Sequence, residues 1–212
     1  LVAGAVTLDT FDWDSGGNYP AALNTSLSLD ASVLNGTDND VNTNWCLPAS
    51  SFGEVGLYGT PGTANDSCPI DLSSVSSGDL IISEVMYAPT KTVYYRGEWF
   101  EVHNTSSNYI NINGLVVNSG QVSETFTVNA NINIRPGESA LIANRYQPLY
   151  NGGMNGVDYA YNYTTSRLFS SDVLTLSYNS STIDSVTWTT SFGGSDGVAI
   201  NLDSRALDVT SN

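Results

Sequence analysis

The chain has 212 residues, of which 41% are hydrophobic and only 13% charged, and its formal net charge is −15. That hydrophobic share is enough for a core and excludes global disorder, while six basic residues against 21 acidic ones leave no basic patch for the phosphates of nucleic acid or for an anionic membrane surface. A surface so poor in charge must be covered by Ser, Thr, Asn and Gly, as in secreted and cell-surface β-proteins, so the expected location is extracellular or the cell surface. No apolar run approaches a membrane span, and no signal-peptide pattern begins at Leu1, so a leader, if one existed, is expected to be gone already.

In chain order, the first element is Thr7-Leu8-Asp9-Thr10-Phe11-Asp12-Trp13, followed by Gly16-Gly17 and then Leu27-Ser28-Leu29-Asp30. The same order returns near the end as Thr182-Ile183-Asp184-Ser185-Val186-Thr187-Trp188, Gly193-Gly194 and Ile200-Asn201-Leu202-Asp203. Asp9 matches Asp184, Trp13 matches Trp188, and Leu29-Asp30 matches Leu202-Asp203. A period of about 174 residues is far longer than a solenoid repeat, so the repeating unit is a domain. The chain is expected to open late in one copy and to stop before the end of a second.

Between the copies, Ser, Asp, Gly and Pro crowd residues 63–79, the composition of a linker. Strands are then expected over Leu80–Tyr87, Trp99–His103, Tyr109–Ile112, Leu115–Val117, Thr125–Val128, Ala140–Ala143, Val173–Tyr178, Ile183–Trp188 and Val198–Leu202. Most alternate apolar with Ser, Thr, Asn or Glu, the period-two pattern of a half-buried strand. No long helix is expected, and the turn signals between short strands point to an all-β sandwich. The longest weakly patterned stretch, Arg145 to Phe169, is rich in Gly and Tyr; it is either a binding loop or a decorated connection with its tyrosines packed flat.

Cys46 and Cys68 lie close in sequence without CxxC spacing or a nearby His, so they read as a disulfide formed in an oxidising compartment rather than as a metal or redox site. Asn24, Asn35, Asn65, Asn104, Asn162 and Asn179 each begin an Asn-x-Ser/Thr acceptor. Chance occurrence in an Asn-rich sequence and a glycosylated surface both account for them. Asp38, Asp40 and Asn42 alternate oxygen side chains as a calcium loop would, but the EF-hand glycine and glutamate are missing, and a solvated acidic loop is the favoured reading. No other cofactor is expected.

His103 is the only histidine, which excludes a multi-histidine metal centre, and no Gly-x-Ser-x-Gly supplies it with a nucleophile. Glu84, Glu98 and Glu101 suggest paired glycosidase carboxylates, yet Glu98 and Glu101 are three apart and would point to opposite faces of one strand. Structural roles are favoured for these residues, and no enzymatic activity is expected.

Four stretches, in order, resemble the lamin-tail domain, an immunoglobulin-like β-sandwich. They are Ile81-Ile82-Ser83-Glu84-Val85-Met86-Tyr87, Glu98-Trp99-Phe100-Glu101-Val102-His103-Asn104, Ile112-Asn113-Gly114-Leu115 and Arg135-Pro136-Gly137-Glu138. Asp184-Ser185-Val186-Thr187-Trp188 is similar to the family's late strand, and Gly59-Thr60-Pro61-Gly62 to the close of its bacterial members. The resemblance implies a binding and scaffolding module without catalytic residues. It sets the expected organisation: the C-terminal part of one domain over 1–66, a linker over 67–79, and a second domain over 80–212 that lacks its closing strand.

Two functions follow as expectations. The first is a structural protein whose copies join head to tail by strand completion into a homopolymer, with Phe11, Trp13 and Trp45 at the joint. The second is a monomeric surface adhesin or carbohydrate-binding module, with Trp99, Tyr94, Tyr95 and Tyr159 stacking on sugar rings.

Overall fold

Strands with one face in a core and one in water need alternating side chains, and this sequence supplies them. In a computed structural model of the chain, described for residues 2, 3, 6, 7, 9, 10, 19–90, 96–120, 124–161, 166–192 and 195–203, residues fall into two compact units. They are Leu1–Pro69 and Ile70–Asn212, with the division inside the expected linker.

The first unit holds four two-residue strands: β1 (Val2–Ala3), β2 (Val6–Thr7), β3 (Ser28–Leu29) and β4 (Trp45–Cys46). β1 pairs with β2 and β3 with β4, both antiparallel. Among its described residues, Leu29 and Cys46 are the buried hydrophobic side chains, whereas Leu23, Leu34 and Val55 stand in water. The unit is instead tied by covalent and polar links. Cys46 is bonded to Cys68, Asp30 accepts from the Cys68 N–H at 2.7 Å, and Asn65 Nδ2 donates to the Leu29 carbonyl at 2.8 Å.

The second unit is a sandwich of two sheets. β5 (Leu80–Met86), β6 (Trp99–Asn104), β11 (Ser139–Ala143), β12 (Tyr159–Ala160) and β15 (Ile200–Asn201) form one, in the order β12-β11-β6-β5-β15. β8 (Val116–Ser119), β9 (Glu124–Thr127), β13 (Asp172–Tyr178) and β14 (Ser181–Trp188) form the other, in the order β14-β13-β8-β9. A small pair, β7 (Ile110–Asn111) with β10 (Asn133–Ile134), stands apart.

The alternation is plain in β6, where Phe100, Val102 and Asn104 are buried and Trp99, Glu101 and His103 are half-buried. It is repeated in β13 by Leu174 and Leu176. These side chains meet Leu80, Ile82, Val85, Ile142 and Trp188 in one core. Trp188, 1% exposed, stacks near Tyr87 and donates its indole N–H to the Phe169 carbonyl at 2.8 Å.

Three differences from the sequence expectation stand out. Ile70 and Leu72, expected in the linker, belong to the second unit: Ile70 N–H bonds the Tyr109 carbonyl and Leu72 is buried. The stretch 145–169 is not featureless, since it contains a one-turn helix α1 (Pro148–Asn151) and β12, which pairs parallel to β11. Finally, β5 carries a bulge: Ile82 faces Val102 but Glu84 faces Glu101, so Ser83 is an extra residue. The bulge moves the inward positions from Leu80 and Ile82 to Val85, while Ile81 between them is fully buried as well, so this end of β5 is covered on both faces.

Candidate functional site

The bulge at Ser83 divides the outer edge of β5. Before it, the Ile82 N–H is taken by the buried Asp184 carboxylate at 2.7 Å, and Gly78 N–H bonds the Ile183 carbonyl, so β14 guards that half. After it, the edge is taken by β15, with Ile200 opposite Val85 and Asn201 opposite Glu84. The Leu202 N–H adds a bond to the Ser83 carbonyl at 2.8 Å.

β15 is brought there by a tight turn. Val198 N–H bonds the Ser195 carbonyl and Gly197 N–H the Ala88 carbonyl. Gly197 has φ of +80°, and a Cβ there would lie 2.8 Å from Thr90 Oγ1, so the turn requires glycine. Where β15 meets the end of the sandwich, a cleft of about 120 Å³ opens, lined by Ile82, Val85, Val186, Phe192, Ile200 and Leu202. Phe192 is 58% exposed at its rim. Among the described residues, no strand pairs with the far edge of β15. Its N-terminal counterpart β3, by contrast, is closed by β4.

Glu84, Glu101 and His103, singled out in the sequence, lie on the half-buried face of the same sheet. Glu84 and Glu101 are directly opposed across β5 and β6; burial first, and repulsion from Glu101 second, push the Glu84 carboxyl above its ordinary range. Burial lowers the His103 pKa against the pull of Glu101. His103 Nδ1 lies 3.0 Å from Ser139 Oγ, a neighbour that sequence reasoning missed because the two are 36 positions apart. They are a directly opposed cross-strand pair, and Ser139 is exposed on the sheet surface, so the contact does the ordinary work of a strand pairing.

Glu98 is not on β6 at all. It lies just before it, 3% exposed, and accepts the Leu168 N–H at 3.1 Å. Burial pushes its carboxyl up to about 8, against the opposing effects of that bond and of Arg167. It sits beside Tyr161, itself 4% exposed, whose phenol is raised well above its ordinary value by burial and then by Glu98. The sequence singled out Glu98 but not its partners Tyr161 and Leu168, which lie more than 60 positions away.

The remaining candidates divide by environment. Asn24, Asn35 and Asn179 are exposed. Asn104 is fully buried, and its amide nitrogen donates to the Asn108 and Ile134 carbonyls at 2.7 and 2.8 Å; a glycan would replace one of these two donor hydrogens and has no room at a buried side chain, so this acceptor is corrected to a framework residue. The Asn65 amide nitrogen is likewise committed to Leu29. Asn162 lies outside the described residues, as do Phe11, Trp13, Tyr94 and Tyr95.

Trp45 is half-buried in its own unit, donating to the Asn39 carbonyl at 2.8 Å and meeting Tyr19 edge-on. Tyr159 is stacked on Phe126 and bonds the Thr127 carbonyl, so it is packed flat rather than offered to a sugar. Asp38 accepts from Asn35 Nδ2, Asp38 and Asp40 lie on a short 3₁₀ turn, and Asn42 begins the next. Among the described residues, no three His, Cys, Asp or Glu side chains converge as a metal would require.

The chain was compared with known proteins. The family model described as Lamin Tail Domain matches residues 73–190, more than half of the chain. The search of curated proteins finds no match.

Proposed function

The chain belongs to the lamin-tail domain family, a non-catalytic immunoglobulin-like type of interaction module, and on that premise we propose that it is an extracellular structural protein. Its copies join head to tail by β-strand completion into a filament or surface fibre, a homopolymer whose partners are further copies of itself. The observation that carries this reading is the difference between the two copies of one strand. β3 is closed by β4, while the far edge of β15 pairs with nothing among the described residues. A two-residue edge strand with an open far side beside an apolar cleft is the weak point of its sheet at which an incoming strand can enter, and a head-to-tail joint that does not close on itself gives an open polymer.

The extracellular assignment is supported by the disulfide, the low charge density and the exposed acceptors at Asn24, Asn35 and Asn179. The acidic balance argues against nucleic acid as a partner. Among the described residues no helix is long and apolar enough to cross a membrane. No cofactor is needed for such a role.

A monomeric adhesin that binds glycans is the second reading. It is favoured by Tyr146, Leu149 and Tyr150, which stand exposed together on and beside α1. Light scattering on the chromatographed native protein across a concentration series separates the two. Strand completion predicts masses at multiples of one chain that grow with concentration. A single species of one-chain mass at every concentration would leave the adhesin.

A further inference from the structure

We propose that β15 is a stand-in strand, and that in the assembled protein the β3–β4 pair of a second copy replaces it on the edge of β5. The proposal rests on the strand-completion reading and names the donor, the acceptor and the register.

The donor and the stand-in carry the same sequence pattern: Leu27-Ser28-Leu29-Asp30 against Ile200-Asn201-Leu202-Asp203. Their hydrogen bonds show that the two copies use opposite edges. In β15, the Leu202 N–H reaches the Ser83 carbonyl, so Ile200 and Leu202 turn their backbone groups toward β5. In the β3 segment, the Asp30 N–H reaches the Asn44 carbonyl at 2.8 Å and the Ser26 N–H the Tyr58 carbonyl at 2.9 Å. The even positions therefore face the closing side. Backbone groups along a strand alternate between its edges, so Leu27 and Leu29 face the other way, toward the edge through which Ile200 and Leu202 hold β5. A strand can then pair with β5 through Leu27 and Leu29 while keeping β4 on its far side. The Leu29 carbonyl on this edge is held by Asn65 Nδ2 at 2.8 Å, so the Asn65 side chain must swing aside when the strand docks on β5.

Two further observations give the exchange a direction. β15 is two residues long and leaves the apolar cleft beside it unfilled. Among its described residues the first unit buries few apolar side chains and leaves Leu23, Leu34 and Val55 in water, so a strand pair from it has apolar surface to gain by docking. Exchange swaps Ile200 and Leu202 for Leu27 and Leu29, like for like, and adds β4 with Trp45 as a further strand. The duplication then has a physical role: each acceptor edge carries its own cap until a second copy arrives. Because the cap is tethered to β5 and the donor is not, exchange is slow and depends on chain concentration.

The register makes this testable by cysteine crosslinking. Asn201 lies opposite Glu84, and Ser28 is the counterpart of Asn201, so Ser28→Cys combined with Glu84→Cys forms a 28–84 crosslink only when a second copy has docked, scored by its peptides apart from any exchange with the Cys46–Cys68 disulfide that faces position 28. Asn201→Cys with Glu84→Cys instead ties the cap down. Both proteins are concentrated, oxidised and run without reductant, with the crosslinked peptides identified by mass spectrometry.

The proposal expects a ladder of dimers and higher species containing most of the S28C/E84C protein. It expects a crosslinked monomer from N201C/E84C, with assembly at least tenfold slower than in the parent. It is overturned if S28C/E84C stays monomeric or closes within one chain, or if the tied variant assembles as fast as the parent. Should the parent still polymerise in those cases, the donor and register fail alone; should it remain a monomer at every concentration, strand completion fails with them.

Discussion

Replacing Glu98 by Gln probes how the second unit holds the loop that follows α1. The Glu98 carboxyl is raised from 4.5 to about 8 chiefly by burial, while the unfolded chain titrates near the ordinary value. The folded state thus binds a proton that the unfolded state releases as pH rises above about 4.5. The resulting stability is fully present below that value and is lost progressively up to pH 8. A rise of this size corresponds to at most about 5 kcal/mol, an upper bound because water entering the ionised site would reduce it.

Glutamine keeps an oxygen to accept the Leu168 N–H, which Glu98 holds at 3.1 Å, and it cannot ionise. Urea unfolding of wild type and Glu98→Gln at pH 5, 7 and 9, followed by far-ultraviolet circular dichroism, reads the effect. The stability advantage of the variant should widen by several kcal/mol between pH 5 and pH 9. Parallel pH profiles for the two proteins would refute the argument, because they would mean that Glu98 is solvated in the folded state.

Other substitutions test other links. Trp188→Ala should destabilise the second unit by about 3–5 kcal/mol, since Trp188 is among its largest fully buried side chains; a loss of less than about 1 kcal/mol in urea unfolding free energy would show that the cavity refills. Paired Cys46→Ser and Cys68→Ser substitutions open a link of 22 residues and should cost the first unit about 3 kcal/mol. The effect, read by amide hydrogen exchange, should leave the second unit's exchange unchanged. Peptide mapping of the native protein should find any glycan at the exposed Asn24, Asn35 or Asn179 and none at the fully buried Asn104. A glycan at Asn104 would contradict the packing of β6.

The long strands were legible because their periodicity is strong: β6 and β13 follow the alternation of their sequences, while β14 buries Ile183 and Asp184 side by side where its pairing with β13 shifts register. β10 and β12 were not legible, because neither Asn133-Ile134 nor Tyr159-Ala160 lies in a longer alternating run, as the equally short β7 and β15 do. The bulge in β5 was hidden by the run Leu80-Ile81-Ile82, which hides a change of face. The duplication could be read directly, since a repeat needs no structure. What it could not reveal was that β3 and β15 use opposite edges, for that depends on which backbone groups each neighbour takes. Asn104 misled for a related reason: the acceptor motif is local, whereas its burial comes from carbonyls at Asn108 and Ile134.

The central claim is that copies of this chain complete one another's sheets, and negative-stain electron microscopy of the native, unheated protein tests it most directly. Strand completion predicts filaments with a regular axial repeat of a few nanometres, the scale of one domain. Dispersed particles of one or two domains across the concentration range, with no filaments, would contradict it.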